Sequence, residues 1–205
     1  MTTRLLLATR NAGKLAELRR LLHDAVPGVE VVGLADVPEY PEAPETGATF
    51  ADNALLKARE AVTYTGLPAV ADDSGLTVDA LNGMPGVLSA RWSGRHGDDD
   101  ANTALLLGQL DHVPDERRGA AFVAAAALVT PEGVEHVLER RWRGRVIREK
   151  RGTNGFGYDP VFVPEGLDVT SAELAPEEKD ARSHRGQAFS ALVPLIAQEL
   201  AGPSS

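Results

Sequence analysis

Two cationic stretches lie at the two ends of this sequence, each beside a pattern typical of a helix. The first is Thr-Arg-Asn-Ala-Gly-Lys at residues 9–14, and the second is Ser-His-Arg at residues 183–185. Because unpaired N–H groups and the helix dipole attract anions at a helix N-terminus, cationic side chains there favour phosphate binding. The first stretch is not a P-loop, which requires G-x-x-x-x-G-K-[ST]. A plain strand-to-helix turn explains it equally well.

Two adjacent carboxylates, Asp72 and Asp73, follow an apolar run. With a third acid elsewhere, such a pair is a common way to hold Mg²⁺ while leaving positions for water and phosphate oxygens. A metal held there can activate water and neutralise charge that develops on phosphorus. Glu45, in an acidic loop with three prolines, is the candidate for the third acid. A helix cap or an Asx turn accounts for Asp-Asp-Ser-Gly about as well.

Three further segments have polar or aromatic side chains with a chemical interpretation. Ser74 lacks the G-x-S-x-G context of a hydrolase nucleophile, so we expect it to support a turn or to donate a hydrogen bond to a ligand. Phe156 and Asp159 lie in a glycine-rich loop, where the ring suits stacking on a flat base and the acid suits N–H donors. A core anchor and a turn aspartate are the alternative. The acidic run at 98–100 indicates a solvated helix start without a metal.

Composition excludes several classes of protein. The chain has 205 residues, no cysteine and a formal net charge of -9, so thiolate sites are excluded and no nucleic acid polymer is expected as a partner. The N-terminal apolar run is too short for a secretory signal, and the run at 120–129 is too short to span a bilayer. We therefore expect a cytoplasmic protein that does not contact a membrane.

Hydrophobic periodicity predicts the elements that position these residues. Predicted strands cover residues 5–8, 29–32, 68–71, 76–81, 118–130, 134–146 and 161–163, and predicted helices cover 13–25, 49–65, 98–110 and 186–200. The first cationic stretch and the carboxylate pair both follow predicted strand ends, where ligands usually bind in such sheets. We expect an α/β fold with some α+β character: one domain over residues 1–201 with a mixed sheet flanked by helices, and a disordered tail at 202–205.

Six segments, taken in order and at their spacing, resemble the inosine/xanthosine triphosphate pyrophosphatase family, hydrolases that remove non-standard purine nucleotides. These segments are residues 8–14, 45–50, 53–58, 71–76, 155–160 and 183–186. The resemblance extends over nearly the whole chain. It implies a long, bent mixed sheet, two lobes with the active-site cleft between them, and a homodimer.

The resemblance also implies a reaction, in which Mg²⁺-dependent cleavage between the α- and β-phosphates converts dITP, ITP or XTP to the monophosphate and pyrophosphate. It implies that Asp73 is the general base and a metal ligand, with Asp72 and Glu45 near the ion. The residues implied to hold the triphosphate are Thr9, Arg10, Asn11, Ala12, Gly13, Lys14 and Lys57. The other implied substrate-binding residues are Ser74, Phe156, Gly157, Tyr158, Asp159, Lys179, His184 and Arg185.

If the resemblance holds, the preference for particular purine bases has a physical explanation. Hypoxanthine and xanthine carry a 6-oxo group where adenine carries an amino donor. Donors such as His184 and Arg185 would pair with the oxygen and would lose their partner with adenine, at a cost of about 1–3 kcal/mol for each buried donor.

Arg10 departs from the family pattern, which usually has glycine at this position. Because arginine does not readily adopt a positive φ, either the loop has ordinary backbone geometry there or its conformation is altered.

Two other functions remain open from the sequence. One is a related pyrophosphatase that acts on pyrimidine or methylated nucleotides, and the other is a nucleotide sensor without catalytic activity. The acidic set of Glu45, Asp72 and Asp73 argues against the sensor, because a protein that only binds has less need for a metal-activated water.

Overall fold

The computed structural model describes residues 3–41 and 44–200. Its helices are α1 (Ala12–Ala25), α2 (Phe50–Thr65), α3 (Asp99–Gln109), α4 (Pro176–Arg182) and α5 (His184–Leu200). Its strands are β1 (Thr3–Leu7), β2 (Val29–Gly33), β3 (Ala69–Val78), β4 (Gly119–Val129), β5 (Glu135–Val146) and β6 (Phe162–Pro164). The predicted tail at 202–205 lies outside the described residues.

The strands form one mixed sheet in the order β2-β1-β3-β4-β5-β6. Strand β1 pairs in parallel with β2 and with β3, and β5 pairs antiparallel with β6. Helices α1 and α2 lie in the connections before β2 and β3, as parallel neighbours require a crossover. Strands β4 and β5 are joined by a tight turn in which Gly133 has a φ of 88°. The predicted α/β class, mixed sheet and hairpin are confirmed.

The described chain divides into two compact units. The first contains the residues up to Asp73, Ala125–Glu139 and the segment from Arg185 onward, whereas the second contains Ser74–Ala124 and Arg140–His184. Buried side chains of the first unit include Leu6, Val32, Ala61 and Ala69. In the second unit, the rings of Phe122 and Trp142 pack edge-on against Phe162, with centroids 4.6 and 5.8 Å from it. Among the helices of the described ranges, none has the length and apolar character needed to cross a membrane.

Strand β3 is continuous, so the prediction of separate strands at 68–71 and 76–81 is wrong. The carboxylate pair therefore lies inside a strand instead of following its end. Both Asp72 and Asp73 are buried, which is possible because side chains distant in sequence provide their hydrogen bonds. The first cationic stretch does follow the end of β1, as predicted.

Side-chain caps set the start of three helices. Asn11 Oδ1 accepts hydrogen bonds from the N–H groups of Gly13 and Lys14 at 2.9 and 3.2 Å. Thr49 caps α2 and Asp98 caps α3 in the same manner. Helix α5 begins at His184, two positions before its predicted start at residue 186. Helix α4 is absent from the prediction because it has no buried residue and thus no apolar periodicity.

Gly144 provides a test of how closely β5 and β6 pack. A methyl group at this position would overlap the Val163 carbonyl oxygen and lie 2.7 Å from Phe162 Cζ. We expect Gly144→Ala to lower the free energy of unfolding by about 1–3 kcal/mol, as overpacking does elsewhere. Gly108→Ala is the matched control: in α3 the added methyl meets no atom within 4 Å, so stability should rise by about 0.5–1 kcal/mol. Urea unfolding measures both, and equal effects would contradict the packing described.

Candidate active site

The cationic stretch at residues 9–14 forms the β1–α1 turn. The Thr9 hydroxyl accepts the Asn11 N–H at 3.2 Å, and the Asn11 side chain caps α1. Asn11 thus has the local structural role that the sequence left open as the alternative. Arg10 is exposed and has no left-handed φ, because Asn82 alone has one among the described non-glycine residues. The loop therefore accommodates arginine with ordinary backbone geometry.

Asp72 is bound by two cations. Lys14 Nζ lies 2.7 and 2.9 Å from the two carboxylate oxygens, and Arg185 Nε lies 3.4 Å from Oδ2. Burial opposes the charge on Asp72, but Lys14 and Arg185 outweigh it and hold the pKa of that carboxyl well below its usual range. Burial, together with Arg185, lowers the pKa of Lys14 despite the attraction of Asp72. Asp72 thus holds Lys14 and Arg185 in place, and its single negative charge balances only one of their two positive charges.

Asp73 has a different environment. Asn53 Nδ2 donates to its Oδ2 at 2.9 Å, and Lys57 Nζ lies 3.6 Å from its Oδ1. The Asn53 amide is oriented by the Gly47 N–H, which donates to Asn53 Oδ1 at 2.7 Å. Burial raises the pKa of Asp73, and the charges of Glu45 and Asp72 add to this against the opposing effect of Lys57 and Asn53. A carboxylate with this raised pKa is suited to accept a proton.

Lys57 joins Asp73 to Glu45. Its ammonium donates to Glu45 Oε1 at 2.9 Å while lying 3.6 Å from Asp73 Oδ1. Burial alone would lower the pKa of Lys57, but the two carboxylates outweigh it and raise that pKa. Asn53 and Lys57 lie one turn apart on α2, so the same helix face supplies a hydrogen-bond donor to one oxygen of Asp73 and a cation near the other.

Glu45 and Asp73, the two carboxylates beside Lys57, are placed to bind a cation together. Within residues 3–41 and 44–200, no three acidic or histidine side chains are grouped closely enough to hold a metal ion. Both oxygens of Asp72 contact Lys14, so this carboxylate is engaged by a cation of the protein itself. Glu45 and Asp73, in contrast, already share the positive charge of one ammonium. Mg²⁺ is commonly bound through one or two carboxylates with water and substrate phosphates, which this pair can provide.

A second cluster, in the second unit, surrounds Asp159. This buried carboxylate accepts hydrogen bonds from Ser171 Oγ at 2.7 Å, from the Phe156 N–H at 2.9 Å and from Lys179 Nζ. Lys179 Nζ also lies 5.4 Å from the centroid of the Phe156 ring, which is 57% exposed. Gly155 has a φ of 77°, and any side chain there would overlap Asp159. The cluster therefore presents an aromatic face beside a fixed ammonium.

The remaining predicted residues have varied surroundings. Tyr158 is buried and donates to the Ser89 carbonyl at 2.9 Å, and burial together with the Asp99 carboxylate raises its pKa. His184 stacks on Phe122 with ring centroids 5.1 Å apart. Ser74 is half-buried in β3. His184 and Arg185, adjacent in sequence, thus differ in their contacts, because Arg185 is bound to Asp72.

Two residues of these clusters, Asn53 and Ser171, are not among the predicted site residues. Asn53 orients Asp73, and its signal was the spacing of four from Lys57 on one helix face. Ser171 holds Asp159 from a segment without regular structure, and no pattern in the sequence pointed to it.

Comparison with known proteins identifies similar chains over almost the full length. The model of the Ham1 family matches residues 5–195. The dITP/XTP pyrophosphatase of Mycobacteroides abscessus is 69% identical over 194 residues, which cover 94% of each chain. The protein of that name from Mycobacterium tuberculosis is 63% identical over 197 residues, with 96% of each chain covered. The solved structure of a HAM1 protein from Coxiella burnetii is 41% identical, with a TM-score of 0.88 over 96% of this chain and 99% of that one.

The charge cluster at Asp72 predicts a large effect on stability. Asp72→Asn leaves Lys14 and Arg185 without their carboxylate, so we expect the free energy of unfolding at pH 7 to fall by about 3–5 kcal/mol. Asp100→Asn is the matched control, because Asp100 pairs with Lys150 on the exposed surface and its loss should leave stability unchanged. Urea unfolding of both variants measures the difference.

The stability difference between the wild type and Asp72→Asn should depend on pH. Since the pKa of Asp72 is depressed in the folded chain, its contribution is present above the unfolded pKa, about 3.9, and is lost as the pH falls toward the folded pKa. The stability gap between the wild type and Asp72→Asn should therefore be full at neutral pH and should narrow below about pH 4. A gap that stays constant through this range would contradict the depressed pKa.

Proposed function

This chain belongs to the Ham1 family, and on that basis we propose that it hydrolyses dITP and XTP to the monophosphate and pyrophosphate. The observation that supports this function most directly is the pair of carboxylates on β3. Asp72 is ionised and bound to Lys14 and Arg185, whereas Asp73 is buried and has a raised pKa. This arrangement provides cations for phosphate and a base for water within the same unit.

The triphosphate is bound, in this proposal, by residues of the first unit. Lys14 and Arg185 bring two positive charges to one carboxylate, and the N-terminus of α1 adds its dipole. Because Asp72 holds both cations before substrate arrives, little side-chain ordering is needed on binding. Lys57 supplies a third cation on α2.

Asp73 acts as the general base. A water molecule attacks the α-phosphorus and its proton passes to Asp73. The bond from the α-phosphorus to the oxygen that bridges the α- and β-phosphates breaks, and pyrophosphate leaves with that oxygen. Burial makes the carboxylate more basic than a surface aspartate, while Asn53 fixes its orientation. Glu45 and Asp73 would hold Mg²⁺, which when bound supplies charge neutralisation at the phosphate oxygens.

The purine is recognised by residues of the second unit. Phe156 offers an exposed ring for stacking, and Lys179, fixed by Asp159, is a donor suited to a 6-oxo group. His184 remains a further candidate donor. Adenine would place an amino group opposite these donors, and each unpaired buried donor would cost about 1–3 kcal/mol. ITP as a substrate, a homodimer and a cytoplasmic location complete the proposal.

A substrate panel tests the proposed reaction. With Mg²⁺, the purified protein should release pyrophosphate from dITP, XTP and ITP much faster than from dATP or dGTP. Adenine lacks the 6-oxo group, and guanine carries a 2-amino group that hypoxanthine and xanthine lack. Chelation of Mg²⁺ should stop the reaction. Release of orthophosphate, or a preference for dUTP or a methylated pyrimidine nucleotide, would contradict the proposal.

Asp73→Asn is the catalytic control in that assay. It should lower kcat by about 10²–10⁴-fold, the usual contribution of a general base. The fold should persist, because the replacement keeps an oxygen that accepts from Asn53, and Asp100→Asn should retain wild-type rates. Substrate binding without turnover in the wild type would instead favour a sensor.

A further inference from the structure

Helix α3 is bonded to the loop of Phe156 through the backbone N–H and carbonyl of Gly157. Asp99 Oδ2 accepts the Gly157 N–H at 2.7 Å, and Thr103, one helical turn further on, directs its hydroxyl to the Gly157 carbonyl at 3.4 Å. The acidic run at 98–100 is thus not simply a solvated helix start. Asp98 caps the helix, Asp100 is exposed, and Asp99 holds the loop.

The loop turns at Gly157, and side chains from other segments hold the backbone there. Gly157 has a φ of 61°, in the left-handed region, and is flanked by Phe156 and Tyr158. The Phe156 N–H is bonded to Asp159, and the Tyr158 hydroxyl to Ser89. Between these two residues, Asp99 accepts the hydrogen bond from the Gly157 N–H. Every peptide that orients Phe156 is therefore fixed, while its ring remains 57% exposed.

Hydrogen bonds hold the backbone on both sides of Phe156 while its ring stays exposed, which suits stacking of the ring on a flat ligand. Burial of the ring against such a ligand would be favourable. Fixing the ring in advance reduces the entropy lost when a flat base stacks on it.

We propose that Asp99 is a positioning residue for substrate, which holds the Gly157 peptide so that Phe156 presents its face to the purine. This inference rests on the proposed function and identifies the residue that organises its base platform. Asp99 does not touch the reacting phosphate in this account. Its effect should appear in the binding of the base, which is equal in the ground state and the transition state.

Steady-state kinetics with dITP test the role. We expect Asp99→Ala to raise KM about tenfold, equivalent to about 1.4 kcal/mol, with kcat within about twofold of the wild type. Asp99→Asn should restore most of the lost affinity, because its amide oxygen can accept the same N–H. Asp100→Ala, on the adjacent exposed position, should have wild-type KM and kcat.

A double-mutant cycle separates positioning from general loss of structure. If Asp99 acts through the ring, Asp99→Ala should add little to the KM of Phe156→Ala. Additive effects, an unchanged KM in Asp99→Ala, or a fall in kcat alone would overturn the proposal.

Amide hydrogen exchange tests whether Asp99 holds the loop without relying on the reaction. The Gly157 N–H should exchange faster in Asp99→Ala than in the wild type and should be protected again in Asp99→Asn. If the wild type releases no pyrophosphate from dITP, the proposed function fails by itself. Unchanged exchange at Gly157 in Asp99→Ala would show instead that Asp99 does not hold the loop.

Discussion

The carboxylate of Asp72 is the contact on which the first unit's charge arrangement depends. It lies within β3 and binds Lys14 from α1 and Arg185 from α5, so it joins segments from the two ends of the sequence. Asp72 is buried and the two cations are half-buried, and the carboxylate would incur a large desolvation penalty without them. The cluster keeps more positive than negative charge, which is the sign that a triphosphate requires.

Adjacent positions on one strand then give two carboxylates different properties. Successive side chains of a strand point to opposite faces, so Asp72 and Asp73 have different neighbours although they are consecutive. Asp72 faces two cations and stays ionised, whereas burial raises the pKa of Asp73 despite Lys57. Pairs of acids with pKa values moved apart by their surroundings are a recurrent basis for dividing roles in catalysis. In the proposed mechanism, Asp72 organises the cations and Asp73 accepts the proton.

The fold was largely predictable because its elements have clear periodicity. Helices α1 and α2 and the β4–β5 hairpin follow from apolar spacing with cap and turn residues, and these predictions are confirmed. The interruption predicted in β3 is wrong, because two aspartates in a row favour a turn unless remote partners compensate them. Lys14 and Asn53 do so, and neither is near β3 in sequence.

The site was predictable as a set of residues but not as a set of contacts. The acidic and cationic motifs indicate Asp72, Asp73 and Lys14, and the family resemblance adds Lys57, yet the pairing of these side chains depends on the fold. The sequence groups Asp72 with the other acids, and its contacts with Lys14 and Arg185 follow only from the fold. The roles of Asp99 and Ser171 are not predictable because a single hydrogen bond across the fold leaves no local pattern, whereas the spacing of Asn53 from Lys57 shows a shared helix face but not its contact with Asp73.

The division between the two carboxylates can be measured directly by NMR titration of the aspartate side-chain carboxyl carbons, assigned with Asp72→Asn and Asp73→Asn. We expect the signal of Asp72 to show a pKa well below the ordinary aspartate value of about 3.9, and that of Asp73 to show a pKa above it. Titration of both groups at the ordinary value, or in the reverse order, would contradict the assignment of the base.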